Sequence, residues 1–332
     1  MNPPPTMLCA EEARAVLSTT LRGVYGADTR LVDWSADPQF TRYGKERVVR
    51  YDLHARVADL PHAQHCQWVG KFYERDDDAR KVAMVLRKLP ATDDGAQGDL
   101  ALPKVLAYYA PRRLLLLTFE AGEPVSPAIA HDPRTALPAI GRALAALHMS
   151  SVTIDAVTSA ADVLTDLRTR IAERCARFPG EMAFLQHKLT QLERDAPLAP
   201  FAPSFLHGDF GPANLLWRAG QIVVLDFDKC ALGDPAQDLG NLLCQLLRST
   251  LRKPGRLPDF DSMRVAILDA YQRCTSNDPG LVERVAWYEQ ATLLRKLLRE
   301  PFPAFENDPA QRGRGDAATA GRRDGMAGYR SE

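Results

Sequence analysis

Two kinds of hydrophobic periodicity divide this chain of 332 residues, and the change between them constrains the fold more than any other feature. Apolar and polar residues alternate over residues 49–57, which indicates a strand with one buried face. After residues 120–124 the apolar positions recur mainly at helical spacing, apart from one short hairpin. This order predicts an α+β fold with a strand-rich first part and a helix-rich second part.

The first part of the chain predicts a sheet with flanking helices. One helix follows Thr6, and another begins at the acidic run 76–78, because the helix dipole favours negative charge at an N-terminus. The predicted strands are residues 49–57, 66–73, 104–109 and 114–119.

The second part predicts a helical region with an embedded hairpin. Two short strands, 214–217 and 221–227, are joined by a turn at 218–220. Residues 301–332 are rich in glycine and poor in large apolar residues, so they predict a disordered tail. The predicted helices are residues 133–150, 161–178 and 182–195, followed by helical periodicity over 236–300.

The overall composition argues against nucleic-acid binding and against membrane insertion. Lys and Arg number 42, as do Asp and Glu, so no global field steers the chain onto nucleic acid or an anionic membrane. The longest apolar runs, such as residues 114–117, are too short to span a bilayer, and residues 1–5 show no secretory signal. We therefore predict a cytoplasmic protein with neither a nucleic-acid nor a membrane partner.

The six cysteines are scattered along the chain and include no Cys-x-x-Cys pair, which is typical of buried thiols in a reducing compartment. His62, His65 and Cys66 are close enough in sequence to suggest a metal site. They provide three ligands without an obvious fourth, so a polar loop is the favoured interpretation.

The residues that can carry chemistry cluster in His207-Gly-Asp-Phe-Gly-Pro-Ala-Asn214 and in Leu225-Asp-Phe-Asp228. A phosphoryl-transfer enzyme needs a group that orients or deprotonates the acceptor hydroxyl, and oxygen ligands for magnesium. Asp209 lies in a loop rich in Gly and Pro, where a carboxylate can point outward. We expect Asp226 to end the second strand of the hairpin, so that the hairpin brings it to Asn214 as a pair of oxygen ligands.

This pattern, His-Gly-Asp-x-x-x-x-Asn followed by Leu-Asp-Phe-Asp and by Gly-Asp-Pro-x-x-Asp-Leu at 233–239, resembles the aminoglycoside phosphotransferase and choline kinase superfamily. The resemblance covers roughly residues 40–300, and its specific motifs lie within 204–240. It implies a bilobal, protein-kinase-like fold that uses ATP and Mg²⁺ to phosphorylate a hydroxyl of a small molecule. The implied divisions are an N-terminal nucleotide-binding lobe at 1–119, a C-terminal catalytic and substrate lobe at 120–300, and the tail at 301–332.

The resemblance also assigns roles to individual residues. Asp209 corresponds to the catalytic base, and Asn214 and Asp226 correspond to the magnesium ligands. His207 is expected to brace the catalytic loop, because the neighbouring carboxylate already fills the role of base. Asp228 either contacts a second metal ion or has an ordinary capping role. The remaining motif residues, which are expected to be structural, are Gly233, Asp234 and Asp238.

Lys71, near the end of a strand and before a helix, resembles the lysine that binds the α- and β-phosphates of ATP in this family. The family usually pairs that lysine with a Glu on the following helix, but Met84 or Val82 stands at this position here. In the absence of nucleotide we expect Lys71 to meet either the acidic run 76–78 or, as the slightly favoured alternative, Asp226 across the cleft.

Two further nucleotide contacts are implied by the resemblance alone. The loop 41–45, with the single glycine Gly44, would cover the phosphates with backbone N–H groups, although a plain surface turn fits the same residues equally well. Phe119, Glu120 and Ala121 fall where the adenine-binding linker of the family lies, and contacts there come mostly from the backbone.

Two alternatives to a small-molecule kinase remain open. A protein kinase would need an activation segment after Asp226, where residues 233–237 leave little room for one. A nucleotide-binding relative without activity would explain the missing Glu, yet it would have no chemical need for Asp209, Asn214 and Asp226 together. The acceptor and the oligomeric state are left open, although ten Lys and Arg against seven Asp and Glu over 241–300 mildly disfavour a polycationic acceptor.

Overall fold

The computed structural model of the protein describes residues 8–40, 47–57, 60, 63–89, 98–197 and 201–299. Thr6, Gly44, His62 and the tail at 301–332, on which several sequence-based predictions rest, lie outside these residues. The strands are β1 (Arg30–Phe40), β2 (Arg47–Arg56), β3 (Gln64–Phe72), β4 (Leu100–Ala101), β5 (Val105–Tyr109), β6 (Leu114–Thr118), β7 (Glu123–Pro124), β8 (Ser204–Leu206), β9 (Leu215–Arg218), β10 (Gln221–Val224) and β11 (Ala231–Gly233). The helices are α1 (Ala10–Tyr25), α2 (Asp76–Lys88), α3 (Val125–His131), α4 (Pro133–His148), α5 (Ala160–Arg177), α6 (Met182–Arg194), α7 (Ala236–Arg252), α8 (Phe260–Cys274) and α9 (Leu281–Leu297).

Five strands form one antiparallel sheet in the order β1-β2-β3-β6-β5. The strand β6 is buried on both faces of this sheet. Leu114 and Leu116 pack in the core that contains α1, whereas Leu115 and Leu117 join the core that contains α2. Lys71 of β3 pairs with Leu115, so its side chain lies on the same face of the sheet as α2.

The helix α2 is fixed next to Lys71 by one apolar stripe. Its first turn holds three aspartates and its last turn two basic residues, which suits the helix dipole at both ends. Val82, Val85 and Leu86 are buried, and each such side chain stabilises the fold by about 1.5–3 kcal/mol relative to an exposed position. The position of α2 beside the sheet therefore depends on the packing of these apolar side chains against the core that contains Leu115 and Leu117.

The helices of the second part pack around two small sheets. α4 packs against α8, and α7 packs against α9. One of these sheets has four strands in the order β4-β10-β9-β7, in which β10 is parallel to β4 and antiparallel to β9. The strands β8 and β11 form a separate antiparallel pair. The ends of β8, β9 and β10 hold the loops that carry the candidate site.

The segment that contains β4 crosses the division that the sequence predicts at residue 119. Ile222 of β10 donates its backbone N–H to the carbonyl oxygen of Asp99 at 2.9 Å. The side chain of Asp99 forms an ion pair with Arg142 of α4 at 2.8 Å. The first part of the chain thus supplies a strand to the second, and the division into lobes at 119 stays a prediction.

The predicted α+β class is confirmed, but the sequence pattern does not predict β1. This strand contains Asp33, Ser35, Asp37 and Pro38, which have low β propensity, and its pairing with β2 holds it in the sheet. All six cysteines are free thiols. Within the described ranges, no helix combines the length and the hydrophobicity that a membrane span requires.

Candidate active site

The loop between β8 and β9 is organised around the fully buried His207. Its Nδ1 accepts a hydrogen bond from the backbone N–H of Asp209 at 3.2 Å, and its Nε2 donates to the carbonyl oxygen of Leu225 at 2.8 Å. The ring meets the ring of Phe227 edge-on, with centroids 4.8 Å apart. An imidazole that accepts through one nitrogen and donates through the other is neutral, which fits a bracing role.

Asp238, in the first turn of α7, ties the same loop down. Its buried carboxylate accepts the backbone N–H groups of His207 at 2.7 Å and Gly208 at 2.9 Å. Gly208 has a φ of 78°, and a Cβ added there would lie 2.1 Å from the carbonyl oxygen of Lys229. The loop therefore requires glycine at this position, and the direction of the next residue, Asp209, is fixed by buried contacts.

Asp209 projects from this loop with its Oδ2 2.6 Å from Nζ of Lys229. Burial raises the pKa of the Asp209 carboxyl, but the hydrogen bond and charge of Lys229 and the charge of Lys296 outweigh burial and hold the pKa below its usual value. Asn214 donates from Nδ2 to the backbone carbonyl of Asp209 at 3.0 Å. Asp209 is thus a carboxylate at neutral pH whose position is fixed from two directions.

Lys71 joins the five-stranded sheet to the segment that follows β10. Its buried ammonium lies 2.6 Å from Oδ1 of Asp226 and 2.7 Å from Oδ2 of Asp228. Burial lowers the pKa of Lys71, but the two carboxylates outweigh burial and raise the pKa above its usual value. The ion pair with Asp226 that the sequence predicts is confirmed, and the second pair, with Asp228, is an addition to it.

The acidic run at the start of α2, which the sequence offers as the other partner of Lys71, binds elsewhere. Asp76 accepts hydrogen bonds from Arg80 and Tyr108. Asp77 and Asp78 lie near Arg75, in exposed ion pairs.

Asp228 takes the place of the missing helix Glu as a partner of Lys71. Tyr73 donates its O–H to Oδ1 of Asp228 at 3.1 Å, and Lys81 of α2 donates from Nζ to the backbone carbonyl of Asp228 at 2.9 Å. The helix α2 therefore contacts this site through a lysine, where the family pattern has a glutamate.

Asp226 lies two residues beyond the end of β10, so the prediction that it ends that strand is wrong. The strand ends early because the backbone carbonyl of Leu225 accepts a hydrogen bond from the side chain of His207. The backbone N–H of Leu225 donates to the carbonyl oxygen of Asn214 at 2.9 Å. The φ of 66° at Asp226 is in the left-handed region, which costs a non-glycine residue about 1–2 kcal/mol. This turn directs the Asp226 carboxylate to Lys71.

The side-chain oxygens at this turn fit a divalent cation. Asp226 and Asp228 already share one cation, the ammonium of Lys71, within 2.7 Å. Asn214 lies in the short helical turn just before β9, and its backbone carbonyl accepts the N–H of Leu225 at 2.9 Å. Carboxylate and amide oxygens in low number are the donors that Mg²⁺ prefers beside a nucleotide. Among the residues that the structure describes, no group of three or more His, Cys, Asp or Glu side chains could hold a metal ion.

Two of the three residues predicted to bind adenine have partners within the protein. The backbone N–H of Phe119 donates to the carbonyl oxygen of Gln67 at 3.2 Å. Glu120 accepts a hydrogen bond from Arg218 at 2.8 Å, and Ala121 is exposed. The nucleotide-binding role of these three residues remains a prediction, as does that of Gly44.

Sequence patterns miss three residues that shape the site. Tyr73 is two positions after Lys71 on an extended segment, so strand alternation could have placed both on one face. Lys229 directly follows Asp228, but nothing in the sequence indicates its contact with Asp209. The contact of Lys81 with Asp228 becomes evident only once the position of α2 relative to the segment after β10 is known.

Comparison with known proteins identifies the family. Residues 52–314 match the model of the phosphotransferase enzyme family. Because this match spans most of the chain, the protein belongs to the phosphotransferase enzyme family, as its resemblance predicts. A comparison with the curated proteins found no match.

Solved structures show the same fold at low sequence identity. A macrolide 2'-phosphotransferase from Brachybacterium faecium is 21% identical, covers 94% of this chain and 99% of its own, and has a TM-score of 0.53. A choline kinase from Cryptosporidium parvum is 13% identical over 87% of this chain and 88% of its own, with a TM-score of 0.59. A thermostable mutant of an aminoglycoside phosphotransferase, in complex with ADP and hygromycin B, is 15% identical over 85% of this chain and 98% of its own, with a TM-score of 0.50. The predicted protein-kinase-like fold is confirmed.

Proposed function

We propose that this protein is a kinase that uses ATP and Mg²⁺ to phosphorylate a hydroxyl group of a small molecule. One observation carries the proposal: a buried loop holds Asp209 in place, while Asp226 and Asp228 share a lysine from the neighbouring sheet. Phosphoryl transfer depends mainly on positioned charges, and this arrangement supplies both signs. Membership of the phosphotransferase enzyme family supports the reaction type.

Asp209 is the group that we assign to the acceptor hydroxyl. Lys229 binds Oδ2, and Oδ1 is the atom that would accept the proton. As the proton moves to Oδ1, the acceptor oxygen bonds to the γ-phosphorus of ATP, and the bond from that phosphorus to ADP breaks. The low pKa of Asp209 makes it a weak base, which suits a loose transition state in which orientation contributes more than proton abstraction.

The residues around Lys71 are the ones that we assign to the nucleotide and its metal. Asn214 and Asp226 would hold Mg²⁺, which neutralises phosphate charge when it is bound. Asp228 would either touch a second metal or keep Lys71 oriented toward the α- and β-phosphates. A nucleotide donor is supported by the aminoglycoside phosphotransferase that was solved with ADP.

A small-molecule acceptor is favoured over a protein acceptor. Asp226 is followed closely by β11 and α7, which leaves no room for an activation segment. The similar structures named above include a macrolide phosphotransferase and a choline kinase, which are named for small-molecule substrates.

ADP release from Mg·ATP, measured across amino alcohols, sugars and antibiotics, tests the proposal. We expect Asp209→Asn to lower turnover by about 10²–10⁴-fold, because Asn cannot accept the proton, while ATP affinity stays close to that of the wild type. The matched control is Asp195→Asn, which changes an exposed carboxylate at the end of α6. Unchanged turnover in Asp209→Asn would remove Asp209 from this role, and ATP binding without transfer to any acceptor would favour an inactive relative.

A further inference from the structure

The end of α9 brings two cations to the loop that holds Asp209. Arg295 lines a small cavity together with Gly208, the residue before Asp209. The charge of Lys296 acts on Asp209, and the charge of Asp209 acts on both cations. Both side chains are half-buried, so each keeps an exposed part.

Neither cation has a protein partner in the part of the chain that the structure describes. The side chains of Arg295 and Lys296 form no hydrogen bond and no ion pair there. Four other buried or half-buried cations are paired: Arg284 binds Asp234 and Asp278, Lys71 binds Asp226 and Asp228, Arg174 binds Glu181, and Arg264 binds Glu289. Arg295 and Lys296 therefore stand out, among the residues that the structure describes, as half-buried cations without a hydrogen bond or an ion pair.

Charges of both signs surround the two cations, and burial opposes the charged form of each. Burial lowers the pKa of Lys296, Asp209 raises it, and the charges of Arg295, Arg299 and Arg248 lower it further. Burial likewise lowers the pKa of Arg295, against the attraction of Asp166 and Asp209. Burial first, and repulsion between the cations second, disfavour the charged forms of both side chains, and a bound anion would offset both effects.

The small cavity beside Arg295 is not the binding site of an acceptor. Its volume is about 10 Å³, which is room for one water molecule. Two buried oxygens without a hydrogen-bond donor, Oε1 of Gln237 and Oδ1 of Asn241, belong to residues that line it. An ordered water there would satisfy both, and a larger ligand must approach Arg295 from its exposed side.

We infer that Arg295 and Lys296 bind an anionic group, a carboxylate or a phosphate, on the acceptor molecule. This is the same acceptor whose hydroxyl group gives its proton to Asp209. The guanidinium offers a planar fork for two anion oxygens, and the ammonium adds a mobile point charge. The acceptor is accordingly a hydroxylated anion, whereas a polycation would meet repulsion from both groups. This inference rests on the proposed kinase function and specifies the substrate class of that same site.

The γ-phosphate of ATP is the other possible source of an anion near Asp209. The two possibilities can be separated, because loss of Arg295 and Lys296 would weaken the binding of a different ligand in each case. If Arg295 and Lys296 bind the acceptor, their loss weakens acceptor binding and leaves ATP affinity unchanged. If they bind the nucleotide, the reverse holds.

The test uses acceptors that share one carbon skeleton and differ in charge. Glycerol, glycerate, glycerol phosphate and aminopropanediol form one set, and glucose, gluconate and glucosamine form another. The full-length protein is compared with the double variant Arg295→Gln/Lys296→Gln. The charge-matched control is Arg177→Gln/Lys188→Gln, which removes one exposed arginine and one exposed lysine from α5 and α6. ADP release gives kcat/KM, and calorimetry on the Mg·ADP complex gives acceptor affinity without turnover.

We expect the anionic members to be preferred by about tenfold or more, and this preference to disappear in Arg295→Gln/Lys296→Gln but not in the control. A preference for the neutral or amino members, or a loss of ATP affinity in place of acceptor affinity, would overturn the inference. If no acceptor is phosphorylated, the proposed function fails for these compounds. Calorimetry alone then decides whether Arg295 and Lys296 bind an anionic group. Anion binding that depends on the two cations then supports the inference, and its absence refutes it.

Discussion

At the scale of single residues, each charged group of the site is defined by its partner. Lys71 keeps its charge although it is buried, because Asp226 and Asp228 both lie within 2.7 Å of its Nζ. The sequence could predict the pair with Asp226, since an unpaired ammonium in a cleft carries a desolvation cost. It could not predict the contact of Asp209 with Lys229, because that contact depends on how the two loops are folded together.

Substituting Lys71 tests its assignment to the ATP phosphates. We expect Lys71→Ala to weaken ATP affinity at least about tenfold, since it removes a hydrogen bond between two charged groups. Lys88→Ala, at the last position of α2, is the control. ATP affinity measured by calorimetry checks the prediction, and a loss well below tenfold would make the lysine a bystander.

The pH dependence of turnover reports on Lys229. Lys229 helps to hold the pKa of Asp209 below the usual value. The proposed role of Asp209 as a carboxylate therefore predicts that activity is lost only as pH falls through that lowered pKa. In Lys229→Met the pKa of Asp209 rises, and the acidic limb of kcat/KM moves to higher pH. An acidic limb that stays where it is in the wild type would show that Lys229 has no influence on the working carboxylate. Lys188→Met serves as the control.

At the scale of elements, the sequence predicts those that have a hydrophobic period of their own. The helix α2 and the strands β2 and β3 are long enough to show one. The observed bounds of β2 and β3 lie within two residues of the predicted ones, and α2 begins in the predicted acidic run. The strands β4, β8 and β11 have two or three residues each, so no period exists and only pairing with distant segments forms them. β1 has 11 residues, but its polar residues interrupt the alternating apolar pattern by which a strand is predicted.

The loop that holds Asp209 depends on Gly208 through both the backbone angle of this glycine and its surroundings. Gly208 and Gly220 have φ of 78° and 94°, but only at Gly208 would a Cβ meet another atom, 2.1 Å away. We expect Gly220→Ala to cost about 1–2 kcal/mol of unfolding free energy, and Gly208→Ala to cost more and to reduce turnover strongly. Denaturant unfolding and kcat measure the two effects. Equal stability losses with full activity would contradict the role of the loop.

The helix α9 is held to the start of α7 by a buried ion pair. Arg284 binds Asp234 at 2.9 Å, and both side chains are almost fully buried. We expect Arg284→Met to lower the unfolding free energy by about 3–5 kcal/mol, because it leaves Asp234 buried without its partner. Arg273→Met, which breaks an exposed pair with Asp269, should cost no more than about 1 kcal/mol. Similar costs in the two variants would argue against this view of α9.

At the scale of the whole molecule, the site is assembled from elements of both parts of the chain. The five-stranded sheet supplies Lys71, the segment after β10 supplies Asp226 and Asp228, and the loop before β9 supplies Asp209. The motifs in the sequence could identify these residues, because the role proposed for each is one that few residue types can fill. They could not predict the surrounding cations of α9, which carry no motif.

Phosphorus NMR of a reaction with Mg·ATP and the best acceptor from the ADP-release screen is the most direct test of the central claim. Transfer to a hydroxyl predicts a new phosphomonoester signal that grows as ADP forms and is nearly absent with Asp209→Asn, while Asp195→Asn gives the wild-type result. Formation of inorganic phosphate alone, or an equal phosphomonoester signal with Asp209→Asn, would contradict the claim that Asp209 directs phosphate to an acceptor hydroxyl.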